Sequence, residues 1–231
     1  MIIAKVRKRI KSRNNLFKMS IAQNLLKIKS SLPENVTLVA VSKTKPIPDL
    51  MKAYDAGQRI FGENKIQEMA EKWEAMPKDI EWHMIGHVQT NKVKFMAPFV
   101  SLIHGVDSLK LLQEINKQAQ KNNRIIDCLL QIYIAKEENK FGLDEEELNS
   151  LLASAAFQEM KNIRIVGLMG MATFTDNQNQ IRKEFTHLKS IFYKLAPLPK
   201  TISMGMSGDY QLAIECGSTM VRIGSRIFGG R

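Results

Sequence analysis

Before Glu34 the chain carries no aspartate or glutamate. That stretch holds Lys5, Arg7, Lys8, Arg9, Lys11, Arg13, Lys18, Lys27 and Lys29, nine of the eleven net positive charges. The remainder is close to balance, which excludes a globally basic protein that coats nucleic acid. It describes a near-neutral domain with a basic N-terminal arm. Long apolar runs are also missing; none approaches the roughly 20 residues of a membrane helix. Cysteine is scarce. Cys128 and Cys216 lie far apart inside apolar segments, which points to buried thiols in a reducing compartment and not to a disulfide or metal framework. The four histidines show no metal-ligand spacing. His83 and His87 are four apart, but strand-like Trp82–Ile85 and Gly86 between them spoil a helical pair.

In the arm, Ile2, Val6 and Ile10 recur every four residues, the spacing of a basic amphipathic helix. A frayed tail, an organelle-targeting segment, an anionic-surface binder and an upstream start before Met19 all fit it. The reading adopted is a dispensable tail, disordered on its own, giving an arm over 1–18 and one domain over 19–231.

No linker or Pro/Gly/Ser-rich boundary interrupts that domain. Ile21, Leu25, Ile28 and Leu32 mark a first helix stopped by Pro33. Strands are then expected at Val36–Ser42, Arg59–Phe61, Trp82–Ile85, Leu102–Gly105, Ile125–Ile134, Ile163–Leu168, Thr201–Met204 and Met220–Ile223. Helical patterns lie between them, among them Ile47–Ala56, Lys65–Met76, Ser108–Lys121, Asp144–Phe157 and Tyr210–Cys216. Eight βα units in about 200 residues fit an α/β fold closed as a single (β/α)₈ TIM-type barrel with an extra N-terminal helix. An open doubly wound sheet is the alternative.

The chain's most informative stretch is Val36–Pro46. A strand buried on both faces ends in Ser42 and Lys43, and Pro46 opens a helix. A lysine is thereby placed at the mouth of the ligand crevice. An amine held against apolar walls loses solvation and becomes a usable nucleophile toward aldehydes; a solvated loop lysine is the plainer alternative. The same face would collect Asn64, the His83–His87 region, Met169–Met171, Met204–Ser207 and Arg222–Ser225. Ser207, Gly224 and Ser225 sit on glycine-flanked turns after strands 7 and 8, the usual phosphate corner of this fold. Arg222, between Val221 and Ile223, points into the barrel and needs an acceptor. That acceptor is either a carboxylate such as Glu63 or Glu215, or an atom of a bound ring. An amine, a phosphate cradle and a buried arginine on one face are what pyridoxal 5′-phosphate (PLP) requires.

Several motifs carry a resemblance to a known family. They are Ala40-Val-Ser-Lys-Thr-Lys-Pro46, Phe61-Gly-Glu-Asn64, Trp82-His-Met-Ile-Gly86 with Gln89-Thr-Asn-Lys92, and Asn139-Lys-Phe-Gly142. Gly205-Met-Ser207 and Gly217-Ser-Thr-Met-Val-Arg-Ile-Gly224 with Ile227-Phe-Gly229 complete the set. Over about residues 20–231 the chain resembles the pyridoxal phosphate homeostasis protein family (YggS/PROSC), related to the N-terminal barrel of alanine racemase. The resemblance implies that Lys43 holds PLP as a Schiff base. It implies that Ser207, Gly224 and Ser225 contact the phosphate, that Arg222 faces the pyridine nitrogen and that Asn64 lies near the cofactor. An arginine there keeps the ring nitrogen unprotonated, because two positive charges in contact repel. Lys65 stands where the family usually has tyrosine, and nothing carries over to the arm.

The functional expectation is intracellular buffering and delivery of PLP without turnover. Recipients would be PLP-dependent apo-enzymes, with no membrane and no nucleic acid, for a cytoplasmic monomer. Two rivals are a racemase of the same barrel type and a nucleic-acid or anionic-surface binder acting through the arm. Against the racemase, the chain stops seven residues after Gly224, where alanine racemases add a domain carrying a tyrosine base. Tyr210 is the nearest second base that the sequence offers.

Overall fold

In a computed structural model, which describes residues 19–135, 141–195 and 200–230, strand β1 (Thr37–Val41) pairs in parallel with both its sequence neighbour and the last strand. That second pairing closes the sheet. The order around the barrel is β1, β2 (Ile60–Glu63), β3 (Glu81–Met84), β4 (Leu102–Val106), β5 (Ile126–Ile132), β6 (Ile163–Gly170), β7 (Thr201–Met206), β8 (Met220–Ile223). All neighbours are parallel, so the open doubly wound alternative is excluded and the fold is a (β/α)₈ barrel. The basic arm lies outside the described residues, as do Asn139 and Lys140 of the Asn139–Gly142 motif.

The outer ring follows the apolar stripes of the sequence. Helix α1 (Ile21–Ser31) buries Leu25 and Ile28. Ser20 caps it by accepting from the Gln23 N–H, while the Gln23 side chain accepts from the Ser20 N–H. Next come α2 (Ile47–Asp55), α3 (Ile66–Ala75), a 3₁₀ turn at Thr90–Lys92, α4 (Val93–Met96) and α5 (Leu109–Lys121), capped by Ser108. They are followed by α6 (Glu145–Ala153), α7 (Ala155–Gln158), α8 (Gln178–Lys194), α9 (Tyr210–Glu215) and the single turn α10 (Ser225–Phe228). Because α10 is so short, α1 packs on it and on α2, covering the barrel between its first and last units. The Asn24 side-chain amide donates to the Ile227 carbonyl at 3.1 Å across that contact.

Two expectations need correction. The periodicity over Asp144–Phe157 reads as one helix, but Ser154 leaves the helix (φ −70°, ψ 137°). It ends α6 and starts α7, its hydroxyl accepting from the Phe157 N–H at 3.3 Å. A serine that offers its side chain to the backbone competes with the continuing helix. The fifth strand is also shorter than Ile125–Ile134, since Ile125 is 61% exposed and precedes the ladder.

Apolar packing occupies two shells. The larger lies between sheet and helices and includes Phe61, Trp82, Phe185 and Leu188. Each such side chain contributes about 1.5–3 kcal/mol by leaving water. The smaller fills the barrel itself with Val39, Leu102, Leu129, Met169 and Met220. Two residues further along β4 and β8, toward the C-terminal ends, the lumen turns polar at His104 and Arg222. Both cysteines are buried free thiols. No helix among the described residues is long and apolar enough to cross a membrane.

Candidate functional site

The C-terminal ends of the strands enclose a cavity of about 510 Å³, within the range of small-molecule sites. Lys43, Asn64, Ser207, Arg222, Gly224 and Ser225 all line it. They come from β1, β2, β7 and β8, which the closed sheet makes contiguous.

Lys43 sits in a tight turn. The Lys45 N–H donates to the Ser42 carbonyl at 3.0 Å, and Thr44 has φ 62°. Lys45 also lines the cavity, but its ammonium is bound to the carbonyls of Gly229 and Gly230 at 3.0 and 2.9 Å. It ties the C-terminal segment to the barrel mouth. Asn64 follows β2 directly, and Gly86 packs on its backbone. A Cβ at Gly86 would lie 2.5 Å from the Asn64 carbonyl oxygen, so only glycine fits.

The corner between β7 and β8 is knit by short polar contacts. The Gly224 N–H donates to Ser207 Oγ at 3.3 Å, and Arg226 Nε donates to the Ser207 carbonyl at 2.6 Å. Asp209 Oδ1 accepts from the Met206 N–H at 2.6 Å. Gly205 makes the bend: its φ is 94°, and a Cβ there would stand 2.6 Å from that of Ala213. Ser207 keeps a hydroxyl proton to donate, and Ser225 adds another. The first N–H groups of α10 have no carbonyl behind them in the helix. Such a donor set suits a phosphate.

Arg222 is 3% exposed and is held by neutral oxygens. It donates from Nη1 to the Ser203 carbonyl and hydroxyl at 2.8 and 2.6 Å, and from Nη2 to the Gly170 carbonyl at 3.1 Å. Neither carboxylate considered as its partner serves it: Glu63 pairs with Lys72, and Glu215 with Arg182. Three of its five N–H donors are taken, leaving two for an acceptor in the cavity. Burial lowers it to about 10, opposed by the nearby charge of Asp209, so it stays cationic at neutral pH.

Behind Arg222 runs a chain of buried side chains. Ser203 Oγ stands 3.1 Å from His104 Nδ1, and His104 Nε2 stands 3.1 Å from His83 Nδ1. Ser203 Oγ thus joins Arg222, which donates to it, to His104. Burial keeps both imidazoles neutral, His83 at about 3 and His104 well below its ordinary value.

Other parts of the expected face fall elsewhere. His83 belongs to this interior chain, and His87 stacks on Phe141 with ring centroids 4.1 Å apart, its Nδ1 3.5 Å from Asp107; neither lines the cavity. Met169 and Met204 are core. Tyr210 is buried, lies under the Arg226 guanidinium and does not line the cavity, so it is no second base. Met171 lines the cavity as expected, but sequence reasoning missed the rest of the opposite wall, Ala172–Asp176 with Gln178. Its Thr173 donates from N–H and hydroxyl to the two oxygens of buried Glu184, each at 2.7 Å. The polar run Thr173-Phe-Thr-Asp-Asn177 after a barrel strand was the available signal.

Residues 18–231 match the family described as alanine racemase, N-terminal domain. The pyridoxal phosphate homeostasis protein of Aquifex aeolicus is 40% identical over 200 residues, 84% of this chain and 86% of that protein. That of Pasteurella multocida is 38% identical over 231 residues, covering 92% and 98% of the two chains. The chain belongs to the pyridoxal phosphate homeostasis protein family. Another relative of known structure, PipY of Synechococcus elongatus, was solved with PLP bound. It is 33% identical, with a TM-score of 0.83 over 91% of this chain and 100% of that one. In this family's barrel, Lys65 is the N-cap residue of α3 and does not line the cavity.

Proposed function

We propose that this chain binds PLP in the cavity at the strand ends and serves its homeostasis, holding and passing on the cofactor. The observation that carries the reading is the convergence of six residues, chosen from sequence, on one cavity that holds both an amine and a hydroxyl-rich corner. The fit is chemical as well as spatial. PLP brings an aldehyde, a phosphate and a ring nitrogen. Lys43 offers the amine for a Schiff base, Ser207 and Ser225 offer hydroxyl donors, Gly224 shapes the corner, Asn64 borders the ring and Arg222 offers two spare donors. Relatives named for PLP homeostasis, and one solved with PLP, support this assignment. Each hydroxyl bond to a charged oxygen is worth about 1.5–3 kcal/mol. Ser207→Ala with Ser225→Ala therefore weakens PLP binding about tenfold or more in an absorbance titration. Unchanged affinity would move the phosphate elsewhere.

The reading is of a carrier, not a racemase. Moving a proton on and off a substrate carbon on both faces needs two placed acid–base groups. Among the described residues the cavity lining includes no tyrosine, histidine or cysteine. Of its other titratable side chains, Lys45 is engaged with carbonyls, Asp209 accepts from the Met206 N–H, and Asp176 belongs to the Met171–Asp176 wall. A cationic Arg222 at the ring nitrogen withholds the proton that would make the ring a strong electron sink. Holo-protein incubated with L-alanine in heavy water should exchange the α-hydrogen far below about 1 per second, the low end of ordinary enzymes. Exchange at or above that rate restores the racemase. The same reading makes PLP-dependent apo-enzymes the recipients and the chain a cytoplasmic monomer, with 1–18 an arm appended to a barrel of 19–231.

A further inference from the structure

The turn that carries Lys43 has an unusual backbone. With its hydrogen bond from Lys45 N–H to the Ser42 carbonyl, and a positive φ at Thr44 only, it has the form of a type II turn. The third position of such a turn calls for glycine or asparagine. A β-branched threonine at φ 62° is an outlier that the surroundings must hold in place.

Both residues flanking Lys43 are gripped by one ionic cluster. Glu68 of α3 accepts from the Thr44 N–H at 2.6 Å. Lys72, one turn further on, donates to the Ser42 carbonyl at 2.9 Å, to Glu63 at 2.7 Å and to Glu68 at 2.7 Å. Ser42 in turn donates its hydroxyl to Glu63 Oε1 at 2.6 Å. Lys72 and Glu63 are almost wholly buried. A buried lysine–glutamate pair is not explained by stability, because desolvating two charges costs about as much as their attraction returns. Each member of this cluster instead bonds the backbone or side chain of a residue adjacent to Lys43.

We infer that Glu68 and Lys72 are positioning residues that hold the strained Ser42–Lys45 turn and so aim the Lys43 amine into the cavity. The inference rests on the cofactor reading given above. Glu68 acts on Thr44, the strained residue; Lys72 and Glu63 fix Ser42, the other end of the turn. Glu68 is the member to vary, since it is partly exposed and its loss leaves the Lys72–Glu63 pair and the core intact.

The test compares wild type with Glu68→Ala, Glu68→Gln, and Glu68→Ala combined with Thr44→Gly. Two quantities are read: the Kd for PLP, and the rate at which dilute acetic anhydride acetylates Lys43 without cofactor, followed by peptide mass spectrometry. Glu68→Ala weakens PLP about tenfold, the loss of one hydrogen bond to a charged group. It also shifts the Lys43 acetylation rate. Glu68→Gln stays within about twofold, because its amide oxygen still accepts from Thr44. The double variant returns to within about threefold of wild type, because glycine holds a positive φ unaided. Wild-type affinity in Glu68→Ala, or no recovery with Thr44→Gly, overturns the inference. A wild-type chain that binds no PLP overturns the proposed function instead. The acetylation series then decides the clamp alone, an unshifted Lys43 rate in Glu68→Ala sinking it.

Discussion

Lys43→Ala abolishes the borohydride-trapped adduct and lowers affinity for PLP by at least about a hundredfold, near 2.7 kcal/mol. The remaining contacts, at Ser207, Ser225 and Arg222, are hydrogen bonds that any phosphorylated pyridine could make. The covalent link to the aldehyde is what only an amine supplies. Lys43→Arg behaves like the alanine variant, because a guanidinium cannot deprotonate and so cannot add to an aldehyde. Lys45→Ala keeps the adduct, since that ammonium is spent on the carbonyls of Gly229 and Gly230. It costs melting temperature instead, by freeing the C-terminal segment. Reduction with borohydride followed by peptide mapping separates these outcomes. A wild-type adduct on Lys45 or Lys65, with Lys43 unmodified, would remove Lys43 from the site.

Most of the barrel could be read from local pattern. Most strands are short apolar runs closed by a turn, and a stripe such as Phe185–Leu188 faces the sheet. Residues at strand ends were readable for the same reason, because position along a strand fixes the end of the barrel to which a side chain belongs. Lys43, Asn64 and Ser207 needed nothing more. Partnerships between strands were not readable. His83, His104, Ser203 and Arg222 lie on four strands, and their chain exists only once β8 closes on β7 and β4 faces β7 across the lumen. A lone histidine inside Leu102–Val106 signals an inward polar contact but not its partner. Lys72 was hidden differently. It sits three residues beyond Met69 on the apolar face of α3, where a lysine ordinarily snorkels outward. Here it turns in to the Ser42 carbonyl and Glu63.

The same histidine chain gives the protein a built-in sensitivity to acid. In the unfolded chain His83 titrates near 6.5; in the folded barrel burial lowers it to about 3. Above pH 6.5 neither state binds its proton, and stability owes nothing to the difference. Between about 6.5 and 3 the unfolded state takes up a proton that the folded state refuses. Stability therefore falls with pH, by up to about 1.4 kcal/mol per unit for this one group. His104 is shifted in the same direction, by burial first and then by the charges of His83 and Arg222, and steepens the fall. Glu63 works the other way. Burial raises its carboxyl despite Lys72 and Ser42, so its protonation at low pH partly relieves the folded state. Against a total stability of order 5–15 kcal/mol, the histidines dominate the upper part of the window. Urea unfolding of the apo-protein at pH 7, 6, 5 and 4.5 should show a stability that is flat at first and then drops steeply. His83→Gln with His104→Gln starts less stable at pH 7, because the chain to Ser203 and Arg222 is disturbed, and has a visibly shallower acid limb. An acid limb as steep in that variant as in wild type would assign the sensitivity to other groups and refute the neutral histidine chain.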